Sequence, residues 1–154
     1  MNVALTYPDY AYVPGRTPRH PDGLFDKLRG SVNMDSRPDQ LQQTPAWIAG
    51  LSYLEEGFFW EAHEVLEPVW MALPLASDER EMAQALIQLA NACLKREMGR
   101  PRAVLRICGL VRAHLDRIGG GQVMGQRCPD LLEAVVALEN HARRDLAGEQ
   151  ECAK

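Results

Sequence analysis

From Ala46 onward the chain repeats its apolar residues every three or four positions and breaks that rhythm only at glycine and proline, which leaves room for little but packed helices. Trp47, Ile48, Leu51 and Leu54 fall at helical spacing, and Gly57 is a natural stop. A second helix is expected from Phe58 to about Trp70. Ser77-Asp78 supplies an N-cap for a third, from about Glu79 to Met98, with Ala83, Leu86, Ile87, Ala90 and Leu94 on its apolar side and Gly99 at its end. Pro101 takes the favoured first-turn position of a fourth, which reaches about Ile118 and closes at Gly119-Gly120-Gly121. Cys128-Pro129-Asp130 opens a fifth, through Val135 and Leu138 to about Leu146. Short links between these segments predict an all-α fold: a single helical bundle of about five helices, two consecutive αα-hairpins plus a C-terminal helix. The 42-residue spacing of Gly57 and Gly99 is only loosely repeated, and it does not match the period of about 34 residues of a tetratricopeptide array.

Residues 1–45 have a different character. They hold Pro8, Pro14, Pro18, Pro21, Pro38 and Pro45, six of the ten prolines, and proline fixes φ and disfavours helix in the residue before it. Tyr7, Tyr10, Tyr12, Phe25 and Leu28 are too many apolar anchors for a solvated tail. The expectation is an extended Pro-rich N-terminal arm over 1–45, with a short helix at Leu24 to Arg29, packed on a bundle domain over 46–147 that is followed by a tail at 148–154.

A chain of 154 residues with 46% hydrophobic content suits one domain with a proper core, and its net charge of −4 provides no broad basic footprint for a nucleic acid. No apolar run approaches the roughly 18 residues that cross a bilayer, so no membrane partner is expected. Met1 to Tyr12 lack the basic-then-apolar pattern of a secretory signal. Cys93, Cys108, Cys128 and Cys152 are widely spaced, with no C-x-x-C pair, and Cys93 and Cys108 read as small buried hydrophobes. The expected location is a reducing cytoplasm.

The chemistry-bearing stretch is His63-Glu64-Val65-Leu66-Glu67, with Trp70 after it. At about 100° per residue, Glu67 lies about 40° from His63, and Phe59, Trp60, Leu66 and Trp70 fall within about 60° of it. Glu61, Glu64 and Pro68 fall about 100–160° away, on an arc expected to face water. His63 and Glu67 thus share an arc with aromatic residues, where ionisable groups are costly unless paired or bound to something. Three readings compete. The pair could be structural, each group satisfying the other. It could supply ligands to a divalent transition metal, namely zinc, iron, nickel or manganese. It could bind or activate a small organic molecule without metal. The zinc-protease pattern H-E-x-x-H fails because Glu67 stands at its second histidine, and the ferritin-like E-x-x-H pattern fails because Trp60 stands at its glutamate. Pro68 removes a helical hydrogen bond and crowds the Glu64 carbonyl, so a kink is expected there.

Around this motif, Trp70 and Phe59 are candidates to wall a pocket, with core packing as their other role. Gln84, Gln88, Asn91 and Lys95 form a polar stripe on the third helix that reads first as a solvated face. If the stripe faces the motif, Gln88 is the amide expected to bond the carboxylate or a bound water. His20, in Pro18-Arg19-His20-Pro21, reads first as a surface-loop histidine, and otherwise as a further ligand brought in by the arm. His114 lies among Ile107, Leu110, Val111 and Ile118 and reads as a satisfied core histidine; His141 is assigned no chemistry.

The run Gly57-Phe58-Phe59-Trp60-Glu61-Ala62-His63-Glu64-Val65-Leu66-Glu67, then Trp70, resembles the signature of the bacterial and archaeal domain of unknown function 309 family, H-x-x-x-E-x-x-W. Ala85-Leu86-Ile87-Gln88-Leu89-Ala90, followed by Gly99 to Ala103, is similar to a second block of that family. Tyr12-Val13-Pro14-Gly15-Arg16 and Pro18-Arg19-His20-Pro21 look like the arm of some bacterial members. The resemblance covers roughly Ala46 to Ile118. It departs at Pro68, where a non-proline residue is usual, and at Ala85, where glycine is expected. The resemblance implies an all-helical domain and a metal-binding role for His63 and Glu67 with Trp70 beside them; it implies no reaction. The sequence therefore points to a protein with a divalent-metal or small-ligand site on a helical His-x-x-x-Glu motif. A non-catalytic helical-hairpin module for protein interaction or homo-oligomerisation is the second reading, and a metal-dependent hydrolase the third.

Overall fold

The structure, a computed structural model, describes residues 5–152. Five long helices follow one another: α3 (Pro45–Glu56), α4 (Phe59–Ala72), α5 (Asp78–Glu97), α6 (Pro101–Ile118) and α7 (Cys128–Cys152), preceded by two single-turn helices, α1 (Asp26–Arg29) and α2 (Pro38–Leu41). Each long helix packs on the next, and α7 also returns to α5. The fold is the all-α bundle that the apolar spacing predicts. The long helices begin and end where local chemistry dictates. Thr44 caps α3 by accepting from the Trp47 amide, with Pro45 in the first turn. Gly57 ends α3 at φ +87°, a left-handed conformation that glycine adopts without strain. Ser77 caps α5 by accepting from the Arg80 amide, and Asp78, Glu79 and Glu81 lie in its positive first turn.

Three details differ from the sequence expectation. A two-stranded hairpin, β1 (Gln122–Val123) and β2 (Gln126–Arg127), joins α6 to α7. Its turn sets Met124 and Gly125 at φ +49° and +76°, the twist that suits tight hairpins. The last helix continues through Cys152 instead of ending near Leu146. Thr44 and Pro45 start α3 directly after α2, so the arm carries a second short helix that apolar spacing could not reveal in four residues.

The core is built from Trp47, Tyr53, Val65, Leu66, Val69, Met82, Leu86, Val104, Val111 and Val135, all essentially inaccessible. Gly50 sets the approach of α3 to α4: a Cβ there would collide with Leu66 Cδ2. At the far end, Arg112 on α6 forms a bidentate pair with the nearly buried Glu139 on α7, Nε to Oε2 at 3.1 Å. The arm lies against this bundle along much of its length. The Tyr53 hydroxyl donates to the Thr6 carbonyl, Phe25 and Leu41 are buried, and the Ser31 hydroxyl accepts from the Ala46 amide. Arg16 donates to the Glu97 carbonyl where α5 ends.

Candidate metal centre and the arm that faces it

His63 and Glu67 stand one turn apart on α4 and point together, Nε2 to Oε2 at 3.4 Å, each about one-third exposed. They face α5. Asn91 Oδ1 lies 3.0 Å from His63 Nδ1, and Asn91 Nδ2 donates to Gln88 Oε1 at 3.3 Å. The polar stripe of α5 is therefore half-buried against the motif helix at Asn91 and not simply a solvated face. Gln88 bonds Asn91 rather than the carboxylate, because Asn91 is the residue that reaches His63.

This chain of bonds fixes the histidine. Asn91 Oδ1 can only accept, so the His63 Nδ1 carries its proton and Nε2 is turned to Glu67. A neutral ring in this tautomer aims the Nε2 lone pair at a carboxylate oxygen. The arrangement is relieved when a cation, a proton or a metal ion, stands between them. Two donors about 2.1 Å from one ion at a near-tetrahedral angle are separated by about 3.4 Å, which is the spacing found. A divalent ion would find two donors here, His63 Nε2 and Glu67 Oε2. Among the described residues no cluster of three or more His, Cys, Asp and Glu side chains converges on one point.

The arm reaches the same place. Arg29, at the end of α1, puts Nη2 3.5 Å from Glu67 Oε1 and Nη1 3.8 Å from Glu64 Oε2, and Nη1 also donates to the Glu64 carbonyl. Pro68 explains that last bond. Proline has no N–H, so the carbonyl four residues earlier, that of Glu64, loses its helical donor, and the arginine takes it.

The other named residues lie elsewhere. Trp70 is stacked under Arg80, whose guanidinium carbon is 4.6 Å from the ring centroid, while Arg80 Nη1 holds the Leu73 carbonyl. Phe59 is part-buried against the core. His114 is paired through Nδ1 with Glu81 Oε2 at 2.6 Å, and Arg117 joins the same oxygen at 3.3 Å. Burial works against the Glu81 charge, but the His114 and Arg117 contacts outweigh it and hold the carboxyl below its ordinary value. Burial pushes the Cys93 and Cys108 thiols up to about 11, as expected of inert core sulfurs.

His20 and Glu61 are corrected by the structure. Glu61, placed by its helical angle on the arc expected to face water, is fully buried, and the His20 side chain is buried beside it instead of lying on the surface. Glu61 Oε2 accepts from His20 Nε2 at 2.6 Å and from the Tyr12 amide at 2.7 Å, while Oε1 has no partner. The arm covers that side of α4, which a single-helix projection cannot register. His20 stacks on Tyr10 at 4.8 Å and meets Phe25 and Trp60 at 5.7 and 6.0 Å. His20 therefore serves Glu61 and not the His63–Glu67 pair. No periodic signal marked Glu61, Tyr12 or Arg29; the only pointer to Arg29 was the carbonyl that Pro68 leaves free.

Two clefts lie apart from the motif. One, of about 430 Å³, opens between the arm and α3, with Tyr7, Leu24, Ile48 and Tyr53 among its walls. The other, of about 450 Å³, lies beside the α6–β1 glycines, lined by Arg112, Asp116 and Cys128. Neither is lined by His63 or Glu67, which sit on an open face between α4 and α5.

With this geometry in view, residues 47–107 match the family described as Domain of unknown function (DUF309). The match covers less than half of the 154 residues and makes this segment similar to that family. It spans α3, α4, α5 and the first part of α6, and so contains His63, Glu67, Gln88 and Asn91 together, while Arg29 and His20 come from the arm before the matched DUF309 segment. No curated protein and no solved structure matches the chain. No helix is long and apolar enough to cross a membrane among the described residues.

Proposed function

We propose that the protein binds a divalent transition metal at the α4 face through His63 Nε2 and Glu67 Oε2, with the open coordination positions available to water or a small ligand. The observation that carries this reading is the contact of His63 Nδ1 with Asn91 Oδ1, which leaves Nε2 facing Glu67. A histidine that ligates a metal commonly gives its other ring N–H to an oriented acceptor, and here Asn91, itself held by Gln88, fills that role. The 3.4 Å approach of Nε2 to Oε2 supports a shared ion as well.

Metal analysis and calorimetric titration of the purified protein with zinc, manganese and nickel test this. One equivalent is expected, lost in both His63→Ala and Glu67→Gln. Asn91→Ala should bind roughly ten- to a hundredfold more weakly, as loss of an orienting partner does. Metal that stays stoichiometric after either ligand substitution shows that these two residues do not hold it. No uptake, with both variants merely less stable, favours the second reading, in which Glu67 is satisfied by His63 and Arg29 alone and the pair organises packing.

A further inference from the structure

Pro68 and Arg29 belong to one arrangement. The carbonyl of Glu64, left without a helical donor by Pro68, is the acceptor on which Arg29 Nη1 sits. Seated there, the guanidinium directs Nη2 to Glu67 Oε1 at 3.5 Å. Glu67 thus offers Oε2 to His63 and Oε1 to the arm. Arg29 is itself only one-third exposed, and the α1 segment that carries it is tied down by the buried Phe25 and by the Ser31 hydroxyl under the start of α3.

A carboxylate cannot serve two cations at full strength. A dication on Oε2 draws electron density from the group that holds Arg29, and it repels the guanidinium directly. We propose that Arg29, seated on the carbonyl that Pro68 leaves free, is a built-in competitor of the metal for Glu67, so that metal loading and docking of the α1 segment oppose each other. The inference rests on the metal reading of His63 and Glu67. It makes the arm a regulator of the site: whatever lifts α1 raises metal affinity, and metal loosens α1 by the same factor, since binding linkage is reciprocal.

Zinc titration of the wild type, Arg29→Met and Pro68→Ala tests this, with Glu67→Gln as the control for uptake at this site. Arg29→Met should bind zinc about tenfold tighter at unchanged stoichiometry, the size expected for removing one charge near a dication at a partly exposed position. Pro68→Ala alters no charge. It returns an N–H to the Glu64 carbonyl, unseats Arg29, and should tighten zinc in the same direction by a smaller factor. It also keeps the test intact should Arg29→Met fail to fold. Amide hydrogen exchange over residues 26–31 should quicken when the wild type is loaded with zinc.

Zinc uptake by the wild type through Glu67, with affinity unchanged or weaker in Arg29→Met, overturns the competition and leaves the site reading standing. Tightening in Arg29→Met with none in Pro68→Ala overturns the part assigned to the proline. Uptake by Arg29→Met alone supports the competition strongly. Uptake by neither protein overturns the site and the competition together.

Discussion

Replacing His20 with alanine strips the fully buried Glu61 of its closest partner and leaves its carboxylate with the Tyr12 amide alone. Breaking a buried ion pair by removing one side costs about 3–5 kcal/mol, because the remaining charge stays uncompensated. For a chain of this size each kcal/mol moves the midpoint by about 2–4 °C, so His20→Ala should melt roughly 10 °C lower. Urea unfolding of His20→Ala, Glu61→Leu and the double variant measures the pair itself. The double variant leaves no stranded charge, so its loss should fall short of the sum of the single losses by about 2 kcal/mol or more. Because the arm can lift to hydrate the carboxylate, His20→Ala should also speed hydrogen exchange at the Tyr12 amide. Single losses that add to within about 0.5 kcal/mol, with Tyr12 exchange unchanged, would refute the reasoning that this pair fastens the arm to α4.

Two further perturbations follow from the packing and the charges. Gly50→Ala gains about 1 kcal/mol of helix propensity but drives a methyl into the buried Leu66 side chain; with overpacking costing about 1–3 kcal/mol, a net destabilisation of up to about 2 kcal/mol is expected in urea unfolding. Glu81 has its proton affinity lowered in the folded state by His114 and Arg117 against the opposing effect of burial, so it contributes stability that is present above the ordinary glutamate value and lost as pH falls through the lower folded value. Glu81→Gln should therefore be less stable than the wild type at pH 6, with the difference closing toward about pH 3; a difference constant with pH contradicts this.

Much of the helical plan was legible because its signals are local. The cap at Ser77, Pro101 in a first turn and Gly57 and Gly119 at helix ends act through backbone groups a few residues away, and the boundaries they mark lie within a few residues of where those signals put them. The His63–Glu67 approach was legible for the same reason, since residues four apart on a helix share a face. The short hairpin before α7 and the α2 turn were not, because elements of two to four residues carry no period. Gly50 carries no local signal, since a close contact with Leu66 is a property of two helices and cannot be seen in either one.

Glu61 marks the division between what the amino-acid order settles and what folding adds. A helical projection assigns each residue an angle, and that angle brought His63 and Glu67 together correctly while turning Glu61 outward. Which angle meets water depends on what covers the helix, and here residues 10–25 of the arm lay their rings and His20 over that side. Pro68 likewise implies a lost helical hydrogen bond and a crowded carbonyl at Glu64, but not the guanidinium from 35 residues away that occupies it. The order of residues determined the helices, their caps and the convergence of an imidazole with a carboxylate. Only the tertiary structure decided which acid is buried, which amide orients the histidine and which cation shares Glu67, because those outcomes depend on long-range contacts that no local period encodes.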